Sequence, residues 1–361
     1  MKKLNDTIAS IRGLDTEAME QAAARQDQLT KPQGSLGILE ELSIRLAGIQ
    51  ADPFPRINRK VIIVMAGDHG VVAEGVSAFP QEVTPQMVAN FAAGGAGINV
   101  LARHVGAEVR VVDVGVAAEV DIPGVIHKKV RPGTANMTEG PAMSVEEAIA
   151  CIEVGIEVAQ DEIDAGADLL GTGDMGIGNT TPSSAILTVI SGAALEHTVG
   201  RGTGIGASAM EQKREAVRRA IQLNRPDPTD GLDVLAKVGG LEIGGLAGVI
   251  LAAAANRVPV IIDGFISSAA ALIAARLAPA SREYMIASHV SIEPGHKLML
   301  EELGLKPMLF MNMRLGEGTG AALAATLVEA SAKVLSEMAT FGEAGVAELD
   351  EEKSSAESDP A

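Results

Sequence analysis

The sequence predicts an α/β fold, a parallel sheet of about six strands flanked by helices, with a small helical domain built from the two chain ends. Two observations carry this. From residue 59 onward, short apolar runs of β type alternate with Ala-rich helical stretches, and near-continuous apolar strands separated by helices mark a parallel sheet covered on both faces. The first fifty residues and the last segments stand outside that alternation and read as helix. With 361 residues, 47% of them hydrophobic and 40 of them glycine, the chain can bury a sizeable core of close-packed helices on a sheet.

In chain order, TIASIRGLDTEAMEQAAARQ and LGILEELSIRLAGI carry helical apolar periodicity, and LTKPQGSLG between them is a loop by its Pro and Gly content. The strand candidates are KVIIVMAG, AEVRVVDVG, ADLLGTG, VPVIIDG, EYMIASH and KPMLFMNM. The stretch IGGLAGVILAAAA has the length of a core helix and is too short and glycine-rich for a membrane span. RPDPTDG, around Pro226 to Asp230, marks a hinge or long loop. The expected domains are residues 1–55 as part of the small helical domain and 56–325 as the large sheet domain. Residues 326–361 are expected to supply the small domain's C-terminal helix and an acidic tail.

A formal charge of −18 argues against nucleic acid or an anionic membrane as partner. Part of it is local: Glu343 to Ala361 holds seven acids and one lysine, either a solvated end or an interaction tail. With no Trp and one Tyr, stacking of nucleobases on aromatic platforms is disfavoured. MKKLNDTIAS has no apolar stretch behind its lysines, so no secretory signal is expected there. The single cysteine, Cys151, leaves no intrachain disulfide and disfavours a thiolate metal site. A cytoplasmic protein is expected.

The strand candidates end in polar residues, with glycine in all but one of them: AGDHG, DVG, GTGDMG, DGF, ASH and MRLGEG. One such ending is ordinary turn chemistry, but six suggest a shared site at the carboxyl ends of the strands, where doubly wound sheets bind ligands. GTGDMG fits G-x-G-x-x-G through Gly171, Gly173 and Gly176, yet no second strand tipped by an acid follows it, which weakens a dinucleotide reading. What remains is a phosphate site, with Asn179, Thr180 and Thr181 as donors beside the glycines, or a plain glycine turn. GRGTGIG, containing Arg201 and Gly202, and the helix behind it with Lys213, could neutralise a phosphate or simply be solvated. Asp68 and His69 end a strand; the six histidines, at 69, 104, 127, 197, 289 and 296, have no HxH or HExxH spacing, so no metal is expected and His69 is read as orienting a loop. Asp263 is a strand-end cap or a ribose-binding acid. The paired acids that phosphoribosyl pyrophosphate enzymes use to place magnesium are missing.

In MRLGEGTGAALAA, one carboxylate, Glu317, stands between Gly316 and Gly318, after an apolar run and before a small-residue helix. The residue pattern allows a helix N-terminal acid stabilised by the dipole or a working carboxylate.

Several strings coincide with one family: KPQGSLGILE, AGDHGVVAEGVSAFPQEVT, GTGDMGIGNTTP, DGLDVLAKVGG, VIIDGFISSAAAL, SHVSIEPGH and MRLGEGTGAALA. Together, over about residues 20 to 340, the chain resembles the nicotinate-nucleotide–dimethylbenzimidazole phosphoribosyltransferases. The resemblance implies a homodimer with a Rossmann-like large domain, in which the small domain helps complete the neighbouring subunit's site. It implies transfer of ribose 5-phosphate from nicotinate mononucleotide to 5,6-dimethylbenzimidazole, giving α-ribazole 5′-phosphate and nicotinate, in cobalamin nucleotide-loop assembly, with neither cofactor nor metal. By position, Glu317 matches the general base, and Gly176, Lys213 and Ser291 resemble phosphate or nucleotide contacts. Phe79, Met87 and Leu315 fall where the family lines its benzimidazole pocket, and Gly316 lets a flat base approach. The family usually has glutamate where this chain has Asp174, one methylene shorter. A nucleotide-binding regulatory protein on the same scaffold is the alternative; an NAD-dependent dehydrogenase based on GTGDMG is the third reading.

Overall fold

The structure is a computed structural model that describes residues 1–347; residues 348–361, with most of the acidic tail, lie outside the described residues. The chain divides into two compact units.

The first unit comprises Met1–Gly13 and Ile57–Thr326. Its core is a six-stranded sheet: β1 (Lys60–Gly67), β2 (Ala107–Gly115), β3 (Val125–His127), β4 (Leu169–Met175), β5 (Val260–Ile262) and β6 (Met285–Ala287). The order is β3-β2-β1-β4-β5-β6, parallel throughout. The apolar run KVIIVMAG makes β1 central, and all eight of its residues are buried. The chain builds outward from β1 to β3 on one side and returns through β4 to β6 on the other. That reversal between β1 and β4 opens a crevice at the carboxyl ends of the strands. In register, Met65 pairs with Asp174 and Ala66 with Asp113, so two acids reach that edge.

Five of the expected runs contain strands, and one expectation is corrected. KPMLFMNM is not a buried strand: it forms one isolated bridge, Leu309 to His289, past the end of β6. Phe310 is 78% and Met311 53% exposed. Pro307 and the left-handed Asn312 (φ 55°) bracket the run and shorten any ladder it could form. The sixth strand is instead β3, three residues inside GVIHKKV, whose apolar run is too short to signal itself.

The first helix, Lys2–Ser10, belongs to this unit, whereas the sequence reading placed all of residues 1–55 with the helical part. Leu4 is buried in the large core, and the terminal amine and Lys3 pair with Glu153 and Glu157 at 2.5 and 3.1 Å. The helix Leu241–Ala255 is buried along nearly its whole length, which accounts for its lack of charge beyond Glu242.

The second unit comprises Leu14–Arg56 and the chain from Leu327. Its helices Thr16–Gln28 and Ile38–Gln50 are joined through a buried bond from Gln26 Nε2 to Ser43 Oγ, 2.8 Å. Asp15 caps the first of them by accepting the Ala18 N–H. Arg25 Nε donates to the Leu335 carbonyl at 2.8 Å, tying the early helices to the late one. In the KPQGSLG loop, Lys31 Nζ lies 2.9 Å from Glu40 Oε1, with both side chains largely buried.

Candidate active site

Three consecutive residues with positive φ, Gly316 (79°), Glu317 (63°) and Gly318 (95°), turn the chain into the helix Thr319–Glu337. Glycine adopts this conformation freely; a glutamate in it is uncommon and costs energy that its surroundings must supply. Three sets of contacts do so. Gly173 of β4 has no side chain, and a Cβ there would stand 2.4 Å from the Glu317 carbonyl oxygen. Asp263, just past β5, accepts the Gly318 N–H at 3.3 Å on Oδ2 and the Ala321 N–H at 3.0 Å on Oδ1. The Glu317 carboxylate itself accepts the Ile98 N–H at 3.0 Å, in the first turn of the helix Gly97–Val105. Glu317 is 7% exposed. Burial raises its pKa above the ordinary carboxylate range; the Ile98 donor opposes the rise and the neighbouring Asp263 charge adds to it.

Beside this turn is a cavity of about 470 Å³, a size suited to a small ligand. Among the expected site residues, Phe79, Asp174, Asn179, Thr180 and Gly202 line it, as do Ser291, Leu315 and Gly316. Phe79 and Leu315 are exposed apolar groups at its wall. Glu317 follows the lining residues Leu315 and Gly316 directly. Glu317 itself and four other expected residues, Met87, Gly176, Lys213 and Asp263, are not part of the lining. Met87, half-buried, sits on the helix Val83–Ala92. Gly176 is buried against the end of β1, where a Cβ would stand 2.2 Å from the Gly67 carbonyl. Lys213 stands behind the lining, donating to Thr180 Oγ1 at 2.6 Å and to the Gly200 carbonyl at 3.1 Å. Asp263 directs both carboxylate oxygens at main chain.

Asp174 packs against Gly316, which directly precedes Glu317: a Cβ on Gly316 would lie 3.2 Å from Asp174 Oδ1 and 3.3 Å from its Oδ2. Burial raises Asp174 well above the ordinary range, reinforced by Asp263 and Glu242, while the bond from Asn179 Nδ2 at 2.9 Å opposes it. Asn179 is thus engaged with Asp174. Burial lowers Lys213 to about 8, with Glu293 opposing. That ammonium also stands close to Gly202, where a Cβ would lie 3.2 Å from Nζ.

Sequence reasoning missed several groups. Glu293, His289, Arg314, Thr203, Phe265 and Ile266 also line the cavity. Glu293 and Arg314 lay inside quoted strings, SIEPGH and MRLGEG, so their proximity to Ser291 and Glu317 was the available signal. His296 was also passed over: its Nδ1 accepts the Ser291 N–H at 2.8 Å and its Nε2 faces Ser268 Oγ at 3.0 Å. Burial, with His289 beside it, holds His296 down at about 3, so the neutral Nε2–H form supports the Ser291 loop. His69 faces Glu242 at 2.9 Å, both fully buried. Burial pulls His69 down, but the Glu242 and Asp68 charges outweigh it and the net shift is upward. Among the described residues, no group of three or more His, Cys, Asp or Glu side chains is placed to hold a metal ion.

A sheet of this order, with a cavity at the carboxyl ends of its strands and desolvated acids around it, defines a Rossmann-like α/β enzyme working at the switch point. A sequence profile described as phosphoribosyltransferase matches residues 11–346. The chain is 58% identical to a nicotinate-nucleotide–dimethylbenzimidazole phosphoribosyltransferase of Desulforamulus reducens, over 96% of this chain and 99% of that one. It is 59% identical to one from Chloroflexus aggregans, over 97% and 100%. A crystal structure of such an enzyme from Thermus thermophilus superposes with a TM-score of 0.89 at 48% identity, covering 93% of this chain and 100% of that one. A second from the same organism, described as CobT, gives 0.89 at 50% identity, covering 92% and 100%. The chain therefore belongs to the nicotinate-nucleotide–dimethylbenzimidazole phosphoribosyltransferase family, and it is a phosphoribosyltransferase.

Proposed function

We propose that the protein transfers the 5-phosphoribosyl group of nicotinate mononucleotide to 5,6-dimethylbenzimidazole, giving α-ribazole 5′-phosphate and nicotinate, in assembly of the cobalamin nucleotide loop. The observation that carries this is Glu317, a carboxylate of raised pKa fixed in a glycine-flanked turn beside the cavity.

The chemistry is consistent with those surroundings. In nicotinate mononucleotide the pyridine nitrogen bonded to the anomeric carbon is cationic. When that bond breaks, its electron pair returns to the ring and nicotinate leaves without metal assistance. The unprotonated benzimidazole nitrogen attacks the opposite face, forming the new bond and inverting the centre from β to α. Its other ring nitrogen then carries an acidic N–H, and Glu317 takes that proton. Acids around the cavity favour a cationic ring there, and Asp174 lies in its wall against Gly316. Leu315 and Phe79 offer apolar surface to the incoming base, with Met87 on the helix beyond. Thr180, Gly202 and Ser291, backed by Lys213, with Asn179 just past β4, hold the phosphoribosyl part.

The protein acts as a homodimer, with the small helical unit helping to complete the partner's site; the exposed Phe310 and Met311 give an apolar surface such an assembly would cover. Among the described residues no helix is long and apolar enough to cross a membrane, and we place the enzyme in the cytoplasm. Incubation with nicotinate mononucleotide and dimethylbenzimidazole, followed by chromatography, should yield equal amounts of nicotinate and α-ribazole phosphate. Binding of the nucleotide without product would replace this reading by a regulatory one.

A further inference from the structure

We infer that Asp263 is the positioning residue for Glu317: it holds the strained turn that aims the general base, and does not itself bind the sugar. The inference rests on the reading of Glu317 as the base.

Asp263 follows β5 and its side chain is fully buried. Its own backbone is fixed from two sides, by its N–H to Thr172 Oγ1 of β4 at 3.1 Å and by Ser288 Oγ to its carbonyl at 3.1 Å. The carboxylate therefore reaches across as a rigid strut. Oδ2 takes the Gly318 N–H and Oδ1 the Ala321 N–H, so the residue after Glu317 and the first turn of the following helix hang on one side chain. Both oxygens serve as acceptors, the pattern of an ionised carboxylate; burial pushes its pKa up, while His289 and main-chain N–H groups of the helix N-terminus draw it part of the way back down. Without this strut the sequence of three positive φ angles would have a lower-energy alternative, because only Glu317 among them pays for its conformation. The opposite wall, Gly173, prevents the turn from moving toward β4 but cannot pull it into place.

The titratable groups around Glu317 are few. Asp263 faces it from β5, Asp174 from β4, and His289, past β6, lies 4.0 Å from Asp263. Glu242 acts on Asp174 from behind, Arg314 precedes Glu317 on its own loop, and the first turn of the Ile98 helix, GINV, carries no charge. Removing the Asp263 charge therefore takes away a neighbouring negative charge and lowers the pKa of Glu317.

The test is steady-state kinetics of Asp263→Asn across pH, beside Glu317→Gln and the double variant, with folding followed by circular dichroism. The expected result is turnover lower by on the order of 10²-fold, the cost of a base displaced by about 1 Å. The Michaelis constant for nicotinate mononucleotide should stay within about twofold, the acid limb of the turnover profile should move to lower pH, and the double variant should be no slower than Glu317→Gln alone. A raised Michaelis constant with turnover and acid limb unchanged overturns the inference, as does a full additional loss in the Glu317→Gln background. Should Asp263→Asn not fold, Asp263→Glu carries the test: it keeps the charge and lengthens the strut, so turnover should fall while the acid limb stays in place, and wild-type turnover overturns the inference. If Glu317→Gln itself turns over normally, it is the base assignment that fails.

Discussion

The carboxylate of Glu317 accepts the main-chain N–H of Ile98 at 3.0 Å, although the two residues are 219 positions apart. The bond places one acid between two helix N-termini: its backbone leads into Thr319–Glu337 and its side chain meets the first turn of Gly97–Val105. Helix N-termini favour the ionised form, yet burial prevails and the net pKa is raised.

That balance sets a pH dependence. A base must be deprotonated to act, so turnover should fall as pH drops through the pKa of Glu317, and because that pKa is raised the fall should begin above the range of an ordinary carboxylate. A pH series of turnover at saturating substrates measures it. An acid limb that survives unchanged in Glu317→Gln would assign the titration to another group.

Lys213 predicts a limb on the alkaline side. Its pKa is lowered to about 8 by burial, so affinity for nicotinate mononucleotide should weaken as pH rises through that value and the ammonium loses its charge. Lys213→Ala should raise the Michaelis constant at neutral pH by about tenfold or more, with a smaller effect on turnover, since a phosphate contact is present in ground and transition states alike. A loss confined to turnover would remove Lys213 from phosphate binding.

Gly173→Ala should damage the base without touching it. The added Cβ would meet the Glu317 carbonyl at 2.4 Å and its carbonyl carbon at 2.8 Å, so the turn must move. Overpacking of this kind costs about 1–3 kcal/mol of stability, and a displaced base should cost about tenfold or more in turnover. Denaturant titration and kinetics on one sample decide it; wild-type values in both would mean the turn is free to shift.

Much of this was legible in the sequence. Five apolar runs announced their strands because a sheet buried on both faces demands near-continuous hydrophobic segments. The glycines on either side of Glu317 singled that acid out, although its left-handed turn was not foreseen. KPMLFMNM misled, because an apolar run with β-type residues satisfies the same pattern whether or not a sheet edge is there to receive it; here Phe310 faces outward. The role of Asp263 stayed open between cap and sugar contact, since nothing local to VIIDGF tells that its oxygens meet Gly318 and Ala321. His69 and Glu242 illustrate the same limit: a buried pair formed across the fold leaves no spacing to read.

Activity should persist in excess EDTA. The leaving group is a cationic pyridinium that departs as neutral-ring nicotinate, so no metal is needed to draw off a developing charge. Product formation with and without chelator measures this, and a loss restored by magnesium would show that the departure needs help.

The most direct test of the account is turnover of Glu317→Gln beside the wild type, with nicotinate mononucleotide binding followed by calorimetry. Glutamine keeps the size and can still accept the Ile98 N–H, but it cannot take a proton. General-base catalysis contributes about 10²–10⁴-fold, or roughly 3–5 kcal/mol, so turnover should fall by about that factor while binding and fold persist. Near-normal turnover would contradict the account and pass the proton to Asp174 or to solvent.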